Sequence, residues 1–428
     1  NTARKVQAVA SGALASGDAV IVNADGTVSV VAASGGGPAA GSTVVFESAL
    51  IAETASTFDS NSNKVVIGYL DGGNNYYGTA VVGTISGTSI SFGTPTVFRS
   101  AYTQYLSVTF DNNSNKVIFA YRDNGTSNRG YATVGTVSGT SISFGTQVIF
   151  GQQPVTFVSA TFDSNSNKVV IAFRDDGNLN YGTATVGTVS GTSISFGSNV
   201  VFKTGVASYN SATFDSNSNK VVIAYQGSGN RGEAIIGTVS GTSISFGTIV
   251  TFSQSTSTNE KITFDSNSNK VVIIYTNSSN YGTAIVGTVS GTGISFGTAV
   301  VWENGGQISV MSATFDNDTN KVIIAYSDAS NSYYGTAIVG TVSGTAISFG
   351  GKTVFNSNGN SSQMSSAFDS NSNGAVIAFR DAGNSNYGTS AVFQTSASTL
   401  TSENFIGIAS NGYATGQAAT INVKGFID

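Results

Sequence analysis

Apolar residues along this chain come in short runs of two kinds. One kind is nearly continuous, as in Lys64 to Leu70 (KVVIGYL) and Lys168 to Arg174 (KVVIAFR). A strand with apolar residues at both odd and even positions fits between two other layers, because both of its faces are covered. The other kind alternates, as in the Ser-Ile-Ser-Phe of Ser193 to Phe196. That period of two predicts a half-buried strand. The polar segments between runs are Asp-Ser-Asn-Ser-Asn and Ser-Gly-Thr-Ser, which hold the residues that tight hairpins favour. Few Lys, Glu and Leu residues stand in the chain, which argues against long helices. The pattern predicts an all-β protein.

These elements recur. A Phe-Asp pair begins at Phe58, Phe110, Phe162, Phe214, Phe264, Phe315 and Phe368, at intervals of 52, 52, 52, 50, 51 and 53 residues. Each unit reads as four strands. Strand a ends in Thr-Phe-Asp, strand b is the Val/Ile-rich run, strand c runs from Tyr-Gly-Thr to Gly-Thr-Val, and strand d is Ile-Ser-Phe-Gly through Val-Val-Phe. A period near 50 with four strands per unit predicts a β-propeller, here of seven blades.

The ends of the array predict how it closes. The seventh unit reaches Phe393 in strand c and has no strand d, whereas Ser42 to Phe46 (STVVF) matches the end of a strand d and precedes the first strand a. The N-terminal strand is expected to complete the last blade and remove two open sheet edges. The expected organisation is therefore a propeller over 42–394, linkers at 34–41 (SGGGPAAG) and 395–402 (TSASTLTS), and one small β domain built from 1–33 and 403–428.

The flanks carry a Gly-Asp-x-Val-x-Val strand at Gly17, Asp18, Val20 and Val22. A late segment places Phe405, Gly407, Ala409, Gly416, Ala418, Ile421, Val423 and Gly425 in a second pattern. This resembles the small β domain of tailed-phage head-decoration and fibre-type proteins. The repeated Thr-Val-Ser-Gly-Thr-Ser-Ile-Ser-Phe-Gly is similar to tail-fibre or structural proteins of marine phages. The resemblance implies a virion location, attachment to other virion proteins through the terminal β domain, and a propeller displayed outward as decoration or to bind a host-surface glycan or receptor.

Composition narrows the chemistry. The chain has 428 residues, a net charge of −5, no Cys and no His. The acidic balance gives no footprint for nucleic acid. Without His or Cys there is no His-based triad, no usual zinc site and no disulfide, so no cofactor is expected. No apolar run approaches the roughly 20 residues of a membrane span, and the opening residues do not read as a signal peptide. Oligomeric state, including a homo-oligomer, is left open.

Candidate chemistry is sparse. Asp59, Asn61 and Asn63, with their equivalents in other units, match the opening of a calcium loop. The further carboxylate is missing, with Ile67 in its place, and Lys64 stands where an EF-hand has Gly; Asx turns are the simpler expectation. Arg122, Arg174 and Arg380 end strand b in three units and resemble the arginine triad of sialidases. The sialidase Asp-box is absent and only six Glu are present, so pairing of these arginines with Asp123, Asp175 and Asp381 across neighbouring blades is expected instead. The adjacent pair Asp175-Asp176 reads as a solvated loop, since glycosidase carboxylates must face each other across a cleft. The Tyr-Gly-Thr position holds Tyr77, Arg129, Tyr181, Arg231, Tyr281, Tyr334 and Tyr387, which either pack on a neighbouring blade or stack on sugar.

The a–b and c–d turns are nearly identical among units, whereas the d–a connections differ each time, from RSAYTQYLS to NSNGNSSQM. Segments that shape a site must differ, so the expected binding face carries the d–a and b–c loops, with Tyr102, Tyr105, Arg122, Arg129, Arg174, Tyr209, Arg231 and Arg380 as candidates. The expected function is a non-enzymatic virion protein, with a secreted or cell-surface lectin-like adhesin as the alternative. A sialidase-like hydrolase fits least well.

Overall fold

The computed structural model describes residues 4–9, 19–22, 28–30, 37–395, 407–409 and 418–423. The fold is all-β, made of multiple antiparallel sheets, with only single-turn 3₁₀ segments between some strands. It divides into two compact units, one formed by 1–39 with 396–428 and the other by 40–395.

In the smaller unit, five strands form one sheet in the order Arg4–Val9, Ala418–Val423, Gly407–Ala409, Ala19–Val22 and Val28–Val30. Both ends of the chain thus contribute to a single sheet, with Arg4 opposite Val423 and Ala19 opposite Ile408. Of the motif positions read from the flanks, Gly17, Asp18, Phe405, Gly416 and Gly425 lie outside the described residues.

In the larger unit the repeat becomes a repeated antiparallel sheet. In the first repeat, strand b is Lys64–Asp71 and strand c is Tyr77–Ser86. Strand d falls into two pieces, Ser89–Phe92 and the beginning of Thr96–Asp111, both paired with strand c. The c–d hairpin has only Gly87 and Thr88 between the paired Ser86 and Ser89. Gly87 has φ +60°, which suits glycine at the first position of a type II′ turn and matches the twist of the flanking strands. The a–b turn has its own device. Asp59 Oδ1 accepts from the N–H groups of Asn61 and Ser62, and Asn63 takes the left-handed conformation at φ 53°. The aspartate bonds recur in all seven repeats. These are Asx turns, formed because a short carboxylate satisfies its own backbone while asparagine tolerates positive φ.

Strand b explains the continuous apolar runs. Val65, Ile67 and Tyr69 face one cluster and Val66 and Leu70 face the next. A buried apolar cluster lies between each pair of consecutive repeats. The cluster of Val65, Ile67 and Tyr69 also holds Val376, Ala378 and Val392, so the last repeat packs on the first. The N-terminal strand supplies the missing strand d: Val44 pairs with Ser390, Val45 with Thr389 and Leu50 with Tyr387. The strand also reaches into the segment read as linker, since Ala39–Ala40 is extended and Gly41 N–H bonds Val392 O at 2.8 Å.

One expectation is corrected. The variable segments between strands d and a are for the most part not loops. Val44–Asp59, Thr96–Asp111, Val148–Asp163 and Val250–Asp265 each run unbroken from strand d of one repeat into strand a of the next. The backbone pairs first with strand c behind it and then with strand b ahead, as Tyr102 opposite Tyr77 and Gln104 opposite Arg122 illustrate. A bulge follows within the pairing with strand b, and its residue lies at positive φ in six repeats: Glu53, Tyr105, Phe157, Tyr209, Asn259 and Gln363. Two connections are open, over 304–310 between Val300–Glu303 and Met311–Asp316 and over 357–360 between Ala346–Asn356 and Ser361–Asp369.

Candidate binding site at the mouth of the central space

Strands a from all seven repeats line one central space. At the end that carries the a–b turns, Phe58 and its equivalents Phe110, Phe162, Phe214, Phe264, Phe315 and Phe368 surround a cavity of about 530 Å³. Its lining is nearly the same from every repeat, mostly Ser, Thr, Asn and Phe. The opposite end, where strands d lead into strands a, opens into a cavity of about 320 Å³ whose lining differs from repeat to repeat.

The bulge residues build that second mouth. Tyr105, Phe157 and Tyr209, from three consecutive repeats, form a contiguous aromatic arc with ring centroids 5.3 and 4.9 Å apart. Two arginines brace it from behind. The Arg122 guanidinium lies 4.8 Å from the centre of the Tyr105 ring, and Arg174 lies 4.8 Å from that of Phe157. Such cation–π stacking fixes both partners and contributes about 0.5–2 kcal/mol each. Arg122 Nε also donates to Asn124 Oδ1 at 2.9 Å, and its Nη2 bonds Gln104 Oε1. Arg174 Nε donates to Asp176 Oδ1 at 2.6 Å, and its Nη1 donates to Ser208 Oγ at 3.0 Å.

The other side of the mouth offers polar groups from Asn259, Lys261, Gln363 and Glu53, set among Val310, Met311 and Met364. Glu53 Oε2 accepts from Leu106 N–H at 3.0 Å. Burial raises its pKa, against the pull of that bond and of Arg122 and Lys261. Lys261 is exposed on the central space, and the protein around it lowers its pKa by desolvation, against the pull of Glu260 and Glu53. Beside it on the strand, Glu260 points into the interior, at a position that Leu106, Val158, Met311 and Met364 occupy in other repeats. Burial pushes the Glu260 carboxyl up to about 7, although Ser257 Oγ donates to it at 2.7 Å.

The mouth is therefore two-sided, with flat apolar rings on one wall and hydrogen-bonding groups on the other. That combination suits a small ligand with an apolar face and a polar rim.

The eight residues expected to bind divide in two. Tyr105 and Tyr209 line the mouth, and Arg122 and Arg174 hold its aromatic wall. Tyr102, Arg129 and Arg231 are exposed and stand apart from the lining, Tyr102 packing on Tyr76 with centroids 5.3 Å apart. Arg380 Nε donates to Ser362 Oγ at 3.0 Å, and its repeat offers Gln363 where the others offer a ring. The expected pairing of these arginines with Asp123, Asp175 and Asp381 is not formed. Asp123, fully buried, pairs instead with Arg99 Nε at 2.8 Å, because the guanidinium of Arg122 folds back over Tyr105. Nor is Asp175-Asp176 a solvated pair. Asp176 takes bonds from Arg174 and Thr156, and burial raises the pKa of Asp175. At the Tyr-Gly-Thr position, Tyr77, Tyr181, Tyr334 and Tyr387 are half-buried, while Arg129, Arg231 and Tyr281 are exposed.

The residues that sequence reasoning missed are Glu53, Phe157, Asn259, Lys261 and Gln363. All stand in two columns of the repeat, five and three residues before the Phe of Phe-Asp. The first column changes at every repeat between steadier neighbours; the second is Ser in five repeats, Ala55 in one and Lys261 in another.

No family model matches this chain, and no curated protein matches it by sequence. Among solved structures, the larger part of the chain is similar in fold to BP39L lectin from Burkholderia pseudomallei. That match has a TM-score of 0.62 at 8% identity and covers 83% of this chain and 98% of the lectin. It is also similar to a protein of unknown function from Dyadobacter fermentans, with a TM-score of 0.51 at 12% identity over 84% of this chain and 99% of the other. At these identities the likeness is one of fold: the chain is all-β and similar in fold to a bacterial lectin.

Proposed function

We propose that the larger unit is a seven-bladed β-propeller, closed by the N-terminal strand, that binds a carbohydrate at the mouth lined by Tyr105, Phe157 and Tyr209. The observation that carries this reading is the aromatic arc itself. Three rings from consecutive repeats stand in one cavity, held by two arginines and faced by Asn259, Gln363 and Glu53. Sugars offer the matching surface, since their C–H faces stack on aromatic rings while their hydroxyls bond the polar wall. The fold likeness to a lectin supports the same reading.

The role is binding without catalysis. Glu53 is the one carboxylate lining the mouth among the described residues, whereas glycoside hydrolysis needs two that face each other. The smaller unit, a sheet drawn from both chain ends, suits an anchoring role. With the resemblance of the flanks, this favours a phage virion protein that displays its propeller outward, attached through the terminal domain to other virion proteins. A secreted or cell-surface lectin is the second reading, favoured by the fold likeness alone.

The test is a glycan array probed with the whole chain and two variants. Changing Tyr105, Phe157 and Tyr209 together to Ala should cost tenfold or more in affinity. Changing Asn165 and Ser193, in the uniform turns of the other face, should leave binding as it was. Binding that survives the first set, or falls with the second, overturns the assignment.

A further inference from the structure

We propose that the central space holds an anion site just inside the mouth, built by Lys261 with Ser107, Ser159 and Ser211, and that its ligand is the carboxylate of an acidic sugar. The proposal rests on the carbohydrate reading and adds the class of sugar.

Lys261 stands in the column that is otherwise serine or alanine, and it lines both the mouth and the cavity of about 190 Å³ beneath it. No carboxylate lies within ion-pairing distance of its ammonium group among the described residues. Lys261 is exposed on the central space, and Glu53 and Glu260 attract it only from beyond contact distance, so its ammonium is open to an incoming anion.

The serines add directed donors. Ser107 Oγ accepts from Ala160 N–H at 2.9 Å, Ser159 Oγ from Ala212 N–H at 2.9 Å, and Ser211 Oγ from Ile262 N–H at 3.1 Å. Each of these bonds uses the hydroxyl as an acceptor, so each O–H proton is left to donate into the cavity that the three residues share with Lys261. Ser365 and Ser312 differ, because their hydroxyls are bonded to Ser56 and Ser366. The three free donors thus come from the same repeats as Tyr105, Phe157 and Tyr209, and Lys261 comes from the next.

Each donor lies two residues further along its strand than the bulge residue, about 6–7 Å deeper at the usual rise. That depth matches a sugar ring stacked on the arc with its carboxylate directed inward. Glu53 is the opposing charge in the mouth, and its carboxylate is already engaged by Leu106 N–H.

The experiment is calorimetric titration of the whole chain with methyl glucuronide and methyl galacturonide, each against its neutral glucoside or galactoside, and with sodium acetate. The variant is Lys261→Ser, which installs the residue that other repeats carry. The proposal expects an acidic sugar to bind tenfold or more tightly than its neutral counterpart, and Lys261→Ser to erase that preference by weakening the acidic sugar far more than the neutral one. If acidic and neutral sugars bind alike, or the preference survives in Lys261→Ser, the anion site is refuted and the carbohydrate reading stands. If acetate binds in a Lys261-dependent way and no sugar does, the anion site stands for a free anion and the carbohydrate reading fails. If nothing binds, both fall.

Discussion

At the scale of single residues, most of the chain is spent on turns and on apolar contact, and the exceptions mark the site. The Asp-Ser-Asn-Ser-Asn turn was legible in the sequence because its mechanism is local: a carboxylate bonds backbone two and three residues ahead, and no distant group is needed. Glu260 was not legible, because its meaning depends on the burial of a position that is apolar in four other repeats and Thr54 or Asn210 in two. Its carboxyl is pushed up to about 7 by burial, well above its ordinary value of 4.5, so the folded state holds a proton that the unfolded chain releases at lower pH. Stability from this group is therefore full below about pH 4.5 and is lost as pH rises toward 7. Glu260→Met, which copies the residue of the sixth and seventh repeats, should raise the melting temperature at pH 8 and change it far less at pH 4. The stabilisation at pH 8 should be of order 2–3 kcal/mol. Melting curves at the two pH values check this, and an equal effect at both would show that burial of charge is not the cause.

At the scale of elements, strand b was readable from its unbroken apolar run, since both of its faces meet other sheets. The passage from strand d to strand a was misread as a loop. Its variability and polar residues resemble a loop, yet on both sides of the bulge it is held by sheet pairing that composition does not reveal. The bulge itself places an aromatic residue at φ 51° in Phe157, a conformation that costs a non-glycine residue about 1 kcal/mol or more. That strain is what turns the side chain into the mouth. It yields an inverted expectation: Phe157→Gly should melt higher than Phe157→Ala by about 1 kcal/mol, the reverse of the order at ordinary strand positions. Both should lose glycan binding equally, since both lack the ring. Thermal unfolding of the pair decides it, and an Ala variant as stable as the Gly variant would mean that the backbone is unstrained there.

At the scale of the whole molecule, the sequence already indicated that the array begins with a strand belonging to its end, because the seventh repeat lacked one and the N-terminus carried a spare. The structure pairs Val44 and Val45 with Ser390 and Thr389, and it buries Phe46 among residues of the first and last repeats. Removing residues 1–46 should expose an unpaired edge and take away a Phe side chain whose burial contributes about 1.5–3 kcal/mol, with loss of solubility or a melting temperature lower by many degrees. Removing only residues 1–37 keeps that strand and should leave the melting of the repeats as in the parent. Equal melting of the two truncations would contradict closure by the N-terminal strand. The sequence singled out Tyr105, Tyr209, Arg122 and Arg174 but could not show that they share one mouth, because its residues lie about 50 positions apart and meet only when seven strands a surround one space. The most direct test of that site is a crystal structure of the chain with the glycan that binds it most tightly on the array. The account predicts a sugar ring against Tyr105, Phe157 and Tyr209, with polar contacts to Asn259 or Gln363. A sugar bound between adjacent repeats, or among the uniform turns around Asn165 and Ser193, with the mouth empty, would contradict it.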